Sequence, residues 1–305
     1  MSKSRRHWLW ITPLVMVLTP VLLFVYASWR YPLRTGAILM AVYQRLPSSL
    51  RNNDASWNLV NAYLRATVED GQPLEAKREL RRHKRPDYLV VALGDSVTAG
   101  ENVDPVARWT FLMQNLMHYR LRKSVRVVNS GIAGEIAPLG LTRLDRDVLA
   151  LKPDLVVVGY LINDGRIFGV GAEGQGQTMV SFDEFLNTMQ TIVAKVRGTG
   201  AAVLVFTCQP IQPGFFGFQH MDWATLQEIM FTARVTALKG LAARYGVPLA
   251  DTYEAIAAMT DQVTLYDADN LHLNADGHKL IAQLIFQTWA EKFYPSLAAP
   301  RAPQP

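Results

Sequence analysis

Five short apolar runs, YLVVALG (88–94), RVVN (126–129), LVVVG (155–159), AVLVFT (202–207) and VPLAD (247–251), punctuate the second two thirds of the chain. Runs this short, rich in valine and leucine and without a polar residue at every second place, are the mark of strands buried on both faces. Between and after them, around residues 109–122, 140–151, 182–198, 222–245 and 275–293, apolar residues recur at helical spacing. In the last of these Leu280, Ile281, Leu284, Ile285 and Phe293 make one stripe, which reads as core packing. Parallel strands need long crossovers, and helices supply them while covering both sheet faces. The alternation therefore predicts an α/β fold: a three-layer α/β/α sandwich with a parallel, flavodoxin-like five-stranded sheet, over residues 87–295. In such sheets ligands sit outside the carboxyl ends of the strands, so the residues that follow each run are the ones to read for chemistry.

The amino-terminal third reads differently. Trp8 to Trp29 holds 22 residues without a charged side chain, enough to cross a bilayer core as a helix, and Pro13 and Pro20 are compatible with that. A cleaved signal peptide is the competing reading, with Val25-Tyr26-Ala27 as small residues near a cleavage point, but the apolar run exceeds a usual signal core. The expectation is one transmembrane anchor over residues 8–29, a cytoplasmic segment 1–7, and a single-pass membrane protein with its catalytic domain on the periplasmic or extracytoplasmic side. Residues 30–86 read as a helical linker or stalk broken by Gly71 and Pro73, and residues 296–305 as a disordered tail.

Charge follows the same division. Residues 1–87 carry 14 lysines and arginines against 6 acids, net +8, leaving 17 against 20, net −3, for residues 88–305. An enzyme of nucleic acid would concentrate basic charge on its catalytic part, so no nucleic-acid partner is expected. The single cysteine, Cys208, cannot form an intrachain disulfide.

Behind the first apolar run stands Gly94-Asp95-Ser96. A glycine permits the tight exit from the strand, an aspartate can accept from local amides, and the serine is then offered at the sheet edge as a nucleophile or, more plainly, as a helix cap. A serine hydroxyl attacks only when a neighbouring base takes its proton, and that base needs an orienting group. DNLHLNADGH (269–278) supplies both in one turn, Asp269 and His272; none of the other five histidines has an acid three positions earlier. His278, a helical turn later, reads as a helix-surface or packing residue, and His220 as a surface histidine. Acyl transfer also needs donors for an oxyanion. Gly131 or Gly134 after the second run can lend a backbone N–H, and Asn163 after the third a side-chain amide.

These blocks, GDS, NSGIAGE, IND and DNLH, resemble in order those of the SGNH (GDSL-type) hydrolases, a family of esterases, lipases and acyl thioesterases, over about residues 88–293. The resemblance implies Ser96 as nucleophile and first oxyanion donor, Gly134 and Asn163 as the other donors, and Asp269 and His272 as the rest of a catalytic triad. Leu161 stands where the family usually has a glycine, and Leu273 where a proline commonly follows the histidine. No cofactor or metal is needed for such chemistry, and no metal cluster or phosphate-binding loop is seen in the sequence. The expected substrate is a small acyl ester, a lipid or an acylated glycan, met near the membrane. Two loops are candidates to shape its pocket: the glycine-rich 165–177, as lid or plain loop, and 212–223 with Phe215, Phe216, Phe218 and Trp223, as core, acyl wall or membrane edge.

Overall fold

The computed structural model describes residues 85–168, 177–213 and 228–295. The chain divides into two units, Met1–Gly71 and Gln72–Pro305, and all described residues lie in the second. The expected span 8–29, the stalk up to residue 84 and the tail 296–305 lie outside them. Among the described residues no helix is long and apolar enough to cross a membrane.

Five parallel strands form the sheet: β1 (Tyr88–Gly94), β2 (Val125–Gly131), β3 (Leu155–Gly159), β6 (Ala202–Phe206) and β7 (Leu249–Ala250), in the order β2-β1-β3-β6-β7. Every expected strand is present. β2 runs two residues past its apolar stretch because Ser130 and Gly131 continue the ladder opposite Leu93 and Gly94. β7 is shorter than expected, since Pro248 has no N–H to give to a ladder and the strand lies at the sheet edge. β4 (Ile167–Phe168) and β5 (Gln177–Thr178) make a separate antiparallel ribbon that brackets most of the glycine-rich loop.

The strands are joined and flanked by helices α1 (Ser96–Ala99), α2 (Trp109–Leu121), α3 (Ala137–Asp147), α4 (Ile162–Gly165), α5 (Phe182–Gly198), α6 (Ala233–Tyr245), α7 (Thr252–Ala257) and α8 (Ala275–Phe293), with a π-turn at Glu228–Thr232 ahead of α6. α2 packs on α8 over one face of the sheet; α5 packs on α3 and α6 over the other. The sheet between them is dry. Leu89 to Leu93 on β1 and Leu155 to Val158 on β3 have no exposed surface, as expected of strands covered on both sides. α3 begins three residues earlier than the periodicity suggests, because Pro138 fits the first turn of a helix, and it ends at Asp147, where a separate 3-10 turn, Leu149–Leu151, follows.

From β1 the chain crosses to β2 on one side and returns to β3 on the other. The carboxyl ends of β1 and β3 are therefore the point where the winding reverses and a crevice opens. Gly94 stands in register with both Gly131 and Gly159, so three strands end together on glycine there.

Candidate active site

Ser96 is the first residue of α1, directly beyond that edge. Asp95 caps the turn, its Oδ1 accepting from Val97 N–H at 3.0 Å. Four residues do not hold a helix by themselves. α1 is fixed by neighbours: Asn129 Nδ2 donates to Thr98 O at 2.6 Å and Trp109 Nε1 to Val97 O at 3.1 Å. Gly131 lets β2 come this close, since a Cβ there would lie 2.2 Å from Ala99 N. Ser96 is thereby almost enclosed, 7% exposed.

Asp269 and His272 come from the turn ahead of α8. His272 O accepts from Asp267 N–H at 2.8 Å, Tyr266 bridges Leu273, and Asn274 caps α8 through Asp276 and Gly277 N–H. Asp269 Oδ1 accepts from the N–H groups of Leu271 (3.0 Å) and His272 (2.8 Å), which leaves Oδ2 aimed at His272 Nδ1, 2.6 Å away. A carboxylate only accepts, so Nδ1 carries the ring proton and Nε2 is the acceptor. That acceptor lies 2.9 Å from Ser96 Oγ. Burial by itself would depress the His272 pKa; the hydrogen bond and charge of Asp269, with Glu101 and Asp95 adding, outweigh it and raise the pKa above the ordinary 6.5. Asp269 moves the other way: burial opposes its ionisation, but the His272 ring and the two backbone N–H groups hold its carboxyl below the usual range.

Two further strand ends reach the same edge. After β2, Gly134 adopts φ +76°, a left-handed conformation that suits glycine. Gly131, the other candidate donor, gives its N–H to Asn129 Oδ1 at 2.9 Å. Among the described residues the N–H groups of Ser96 and Gly134 meet no protein acceptor. After β3, Asn163 lies in α4, its Nδ2 donating to Glu135 O at 3.1 Å and standing 3.4 Å from Asp95 Oδ2. Leu161, in the place of the family's usual glycine, has φ −175°, outside the left-handed region that favours glycine. Asp164 ties this segment to the previous one, its Oδ1 accepting from Ala137 N–H at 2.8 Å. Burial pushes the carboxyls of Asp95 and Asp164 up to about 7 and about 8. The arrangement offers a hydroxyl with a base in contact, an oriented base, and unspent donors beside it.

A sequence model of the GDSL-like lipase/acylhydrolase family matches residues 92–280. The chain belongs to that family. It is thus an ester hydrolase. Solved structures of like fold include a lipase/acylhydrolase from Enterococcus faecalis, at 24% identity and TM-score 0.54 over 67% of this chain and 96% of that one. LAE5, an α/β hydrolase enzyme from the metagenome of Lake Arreo, Spain, is 21% identical with TM-score 0.52, covering 70% and 97% of the two chains. Axe2, an acetylxylan esterase from Geobacillus stearothermophilus, is 21% identical with TM-score 0.51, covering 66% and 94%. No curated protein matches the chain.

In this GDSL-family chain the structure brings Ser96, Asp269 and His272 into one hydrogen-bonded line and sets Gly134 and Asn163 at neighbouring strand ends. His278 is a packing residue rather than a surface one: it is buried and its Nδ1 accepts from Trp109 N–H at 3.2 Å. His220 and the aromatic residues Phe215, Phe216, Phe218 and Trp223 lie outside the described residues, as do 169–176 of the glycine-rich loop. Among the described residues no group of three or more His, Cys, Asp or Glu is placed to hold a metal ion. Sequence reasoning missed Gln209, whose Nε2 donates to Leu271 O at 2.9 Å and holds the Asp269–His272 turn from behind. The rule that marked Ser96 applies equally to Gln209, three residues past β6. It also missed Asn102, whose Nδ2 stands 3.5 Å from Asp269 Oδ2.

Proposed function

We propose that this hydrolase is a membrane-anchored serine esterase that cleaves carboxylic esters through a Ser96–His272–Asp269 triad and an acyl-enzyme. The 2.9 Å contact of Ser96 Oγ with His272 Nε2, backed by the 2.6 Å contact with Asp269, supports it most directly. His272 Nε2 takes the hydroxyl proton as Oγ attacks the ester carbonyl carbon, and Asp269 stabilises the imidazolium that results. The oxyanion is received by the N–H groups of Ser96 and Gly134 and by Asn163 Nδ2, which holds Glu135 O with one hydrogen and offers the other, only loosely shared with Asp95 at 3.4 Å, to the substrate. As the tetrahedral intermediate collapses, the C–O bond to the alcohol breaks and His272 returns the proton to the leaving oxygen. Water, deprotonated by the same nitrogen, then attacks the acyl carbon; the bond from that carbon to Oγ breaks, and His272 returns the proton to Ser96 Oγ.

Residues 8–29 form the anchor in this reading and keep the site near the membrane, where acyl esters and acylated glycans are met. A glycan O-acetyl esterase or acetyltransferase would use the same machinery, with a sugar hydroxyl in place of water in the transferase; the acetylxylan esterase of like fold illustrates the esterase form. Two measurements on the full chain test the proposal. Ser96→Ala is expected to lower turnover of p-nitrophenyl acetate by at least about a thousandfold and to abolish labelling by a fluorophosphonate; full activity in that variant ends the proposal. Comparing acetate with decanoate esters separates the two substrate classes, a strong preference for acetate pointing to the glycan.

A further inference from the structure

Behind the Gly134 turn lies a buried polar unit that the chemistry above leaves unused. Glu135, the residue after Gly134, is 4% exposed, and its carboxylate accepts from Arg143 Nε at 2.8 Å, from Arg143 Nη2, and from Tyr160 O–H at 2.6 Å. Arg143, on α3, also donates to Ser130 Oγ at 2.6 Å and Ser130 O at 2.7 Å, at the end of β2, and lies 3.7 Å from Asp147. Tyr160 follows β3, its hydroxyl so close to α3 that a Cβ on Gly140 would be 2.1 Å from it. One carboxylate therefore joins the end of β2, the turn that carries Gly134, α3 and the end of β3.

Stability is a poor reason to bury such a pair, because the cost of removing both charges from water can equal or exceed their attraction. Position is a better one. The Glu135 backbone is where the two non-serine oxyanion donors meet: the donor N–H of Gly134 immediately precedes it, and its own carbonyl receives Asn163 Nδ2 at 3.1 Å. Clamping this side chain from α3 and from the end of β3 fixes the turn and, through the carbonyl, the amide.

We infer that Glu135, locked by Arg143 and Tyr160, is the positioning residue of the oxyanion hole, holding the Gly134 N–H and the Asn163 amide on a common target before substrate arrives. The inference rests on the ester-hydrolysis mechanism proposed above. Donors preorganised in this way act on the transition state rather than on substrate binding.

The test is a double-mutant cycle on the full chain with p-nitrophenyl acetate. Tyr160→Phe removes one hydroxyl and leaves the ring in place; Glu135→Gln keeps the shape and weakens the clamp. Each is expected to lower kcat by about tenfold with KM within about twofold. In an Asn163→Ala background the same change should cost much less, since part of what it positioned is gone. Phosphonylation of Ser96 by a fluorophosphonate should slow in parallel. Wild-type kcat in both variants, a loss confined to KM, or full multiplicativity with Asn163→Ala would each overturn the inference. If Tyr160→Phe fails to fold, Glu135→Gln is read alone against the same outcomes. Ser96→Ala keeps the two failures apart: full activity there removes the mechanism, whereas an inactive Ser96→Ala beside unimpaired Tyr160→Phe and Glu135→Gln removes only the positioning role.

Discussion

Ser96 Oγ can lose its proton only to a neutral His272, so the surroundings of His272 set the pH at which the proposed chemistry begins. Because Asp269 raises the imidazole pKa over the depressing effect of burial, the ring is protonated below a midpoint that lies above 6.5 and is a base only above it. The acid limb of kcat/KM for p-nitrophenyl acetate is accordingly expected above pH 6.5. Asp269→Asn takes away the charge that holds the imidazolium, so the limb should move to lower pH while kcat falls by on the order of a thousandfold or more. A limb that stays in place would show that another group titrates there. Sequence spacing found Asp269 and His272, because three residues bring an acid and a histidine together in one turn. Spacing gives no such hint of Glu101 or Asp95, whose charges also favour the imidazolium. They reach His272 from the β1 end, far away along the chain.

At the scale of elements, the amino-terminus of α2 is completed by another helix. Arg108 makes no capping bond there, and the N–H of Trp109 donates to Nδ1 of His278 on α8. A ring that accepts must be neutral. Burial first, then the charges of Arg108 and His272, push its pKa down to about 4 from 6.5. A folded-state pKa below the unfolded one means that the contribution is complete above pH 6.5 and is lost as pH falls toward 4, on the order of 3 kcal/mol for a shift of that size. His278→Ala is expected to cost on the order of 2 kcal/mol at pH 7 by urea unfolding, through an unmet N–H and a small cavity. The gap should close as pH falls through that window; a gap independent of pH would assign the histidine to packing alone. Periodicity located α2 and α8 closely, since each buries a stripe of its own. It did not show that one caps the other, and it read His278 as equally suited to a helix surface.

For the whole molecule the net charge of +8 over residues 1–87 and the uncharged stretch from Trp8 to Trp29 carry the proposed membrane attachment. The full chain is expected to sediment with membranes and to be released by detergent but not by high salt. Release by salt alone would point to the basic residues rather than to an embedded helix.

The strands, their number and the parallel sheet were legible in the sequence, because strands buried on both faces must be apolar throughout and helices must follow them. Ser96, His272 and Asp269 were legible too as candidates, because each sits in a short local motif, and the structure brings them into one hydrogen-bonded line. Which glycine keeps its N–H unspent was not legible from the residues themselves; only the family resemblance pointed to Gly134. Gly131 and Gly134 look alike in sequence, and they differ only because β2 pairs with β1 far enough to place Gly131 against α1 and give its N–H to Asn129, while Gly134 falls beyond the ladder with φ +76°. The Glu135–Arg143–Tyr160 clamp was equally hidden: its members lie on three segments, and only the stacking of α3 on the sheet brings their polar groups together. Local pattern decides what a segment becomes; the meeting of buried polar groups from distant segments is decided by packing, which alone determines whether each donor finds a partner.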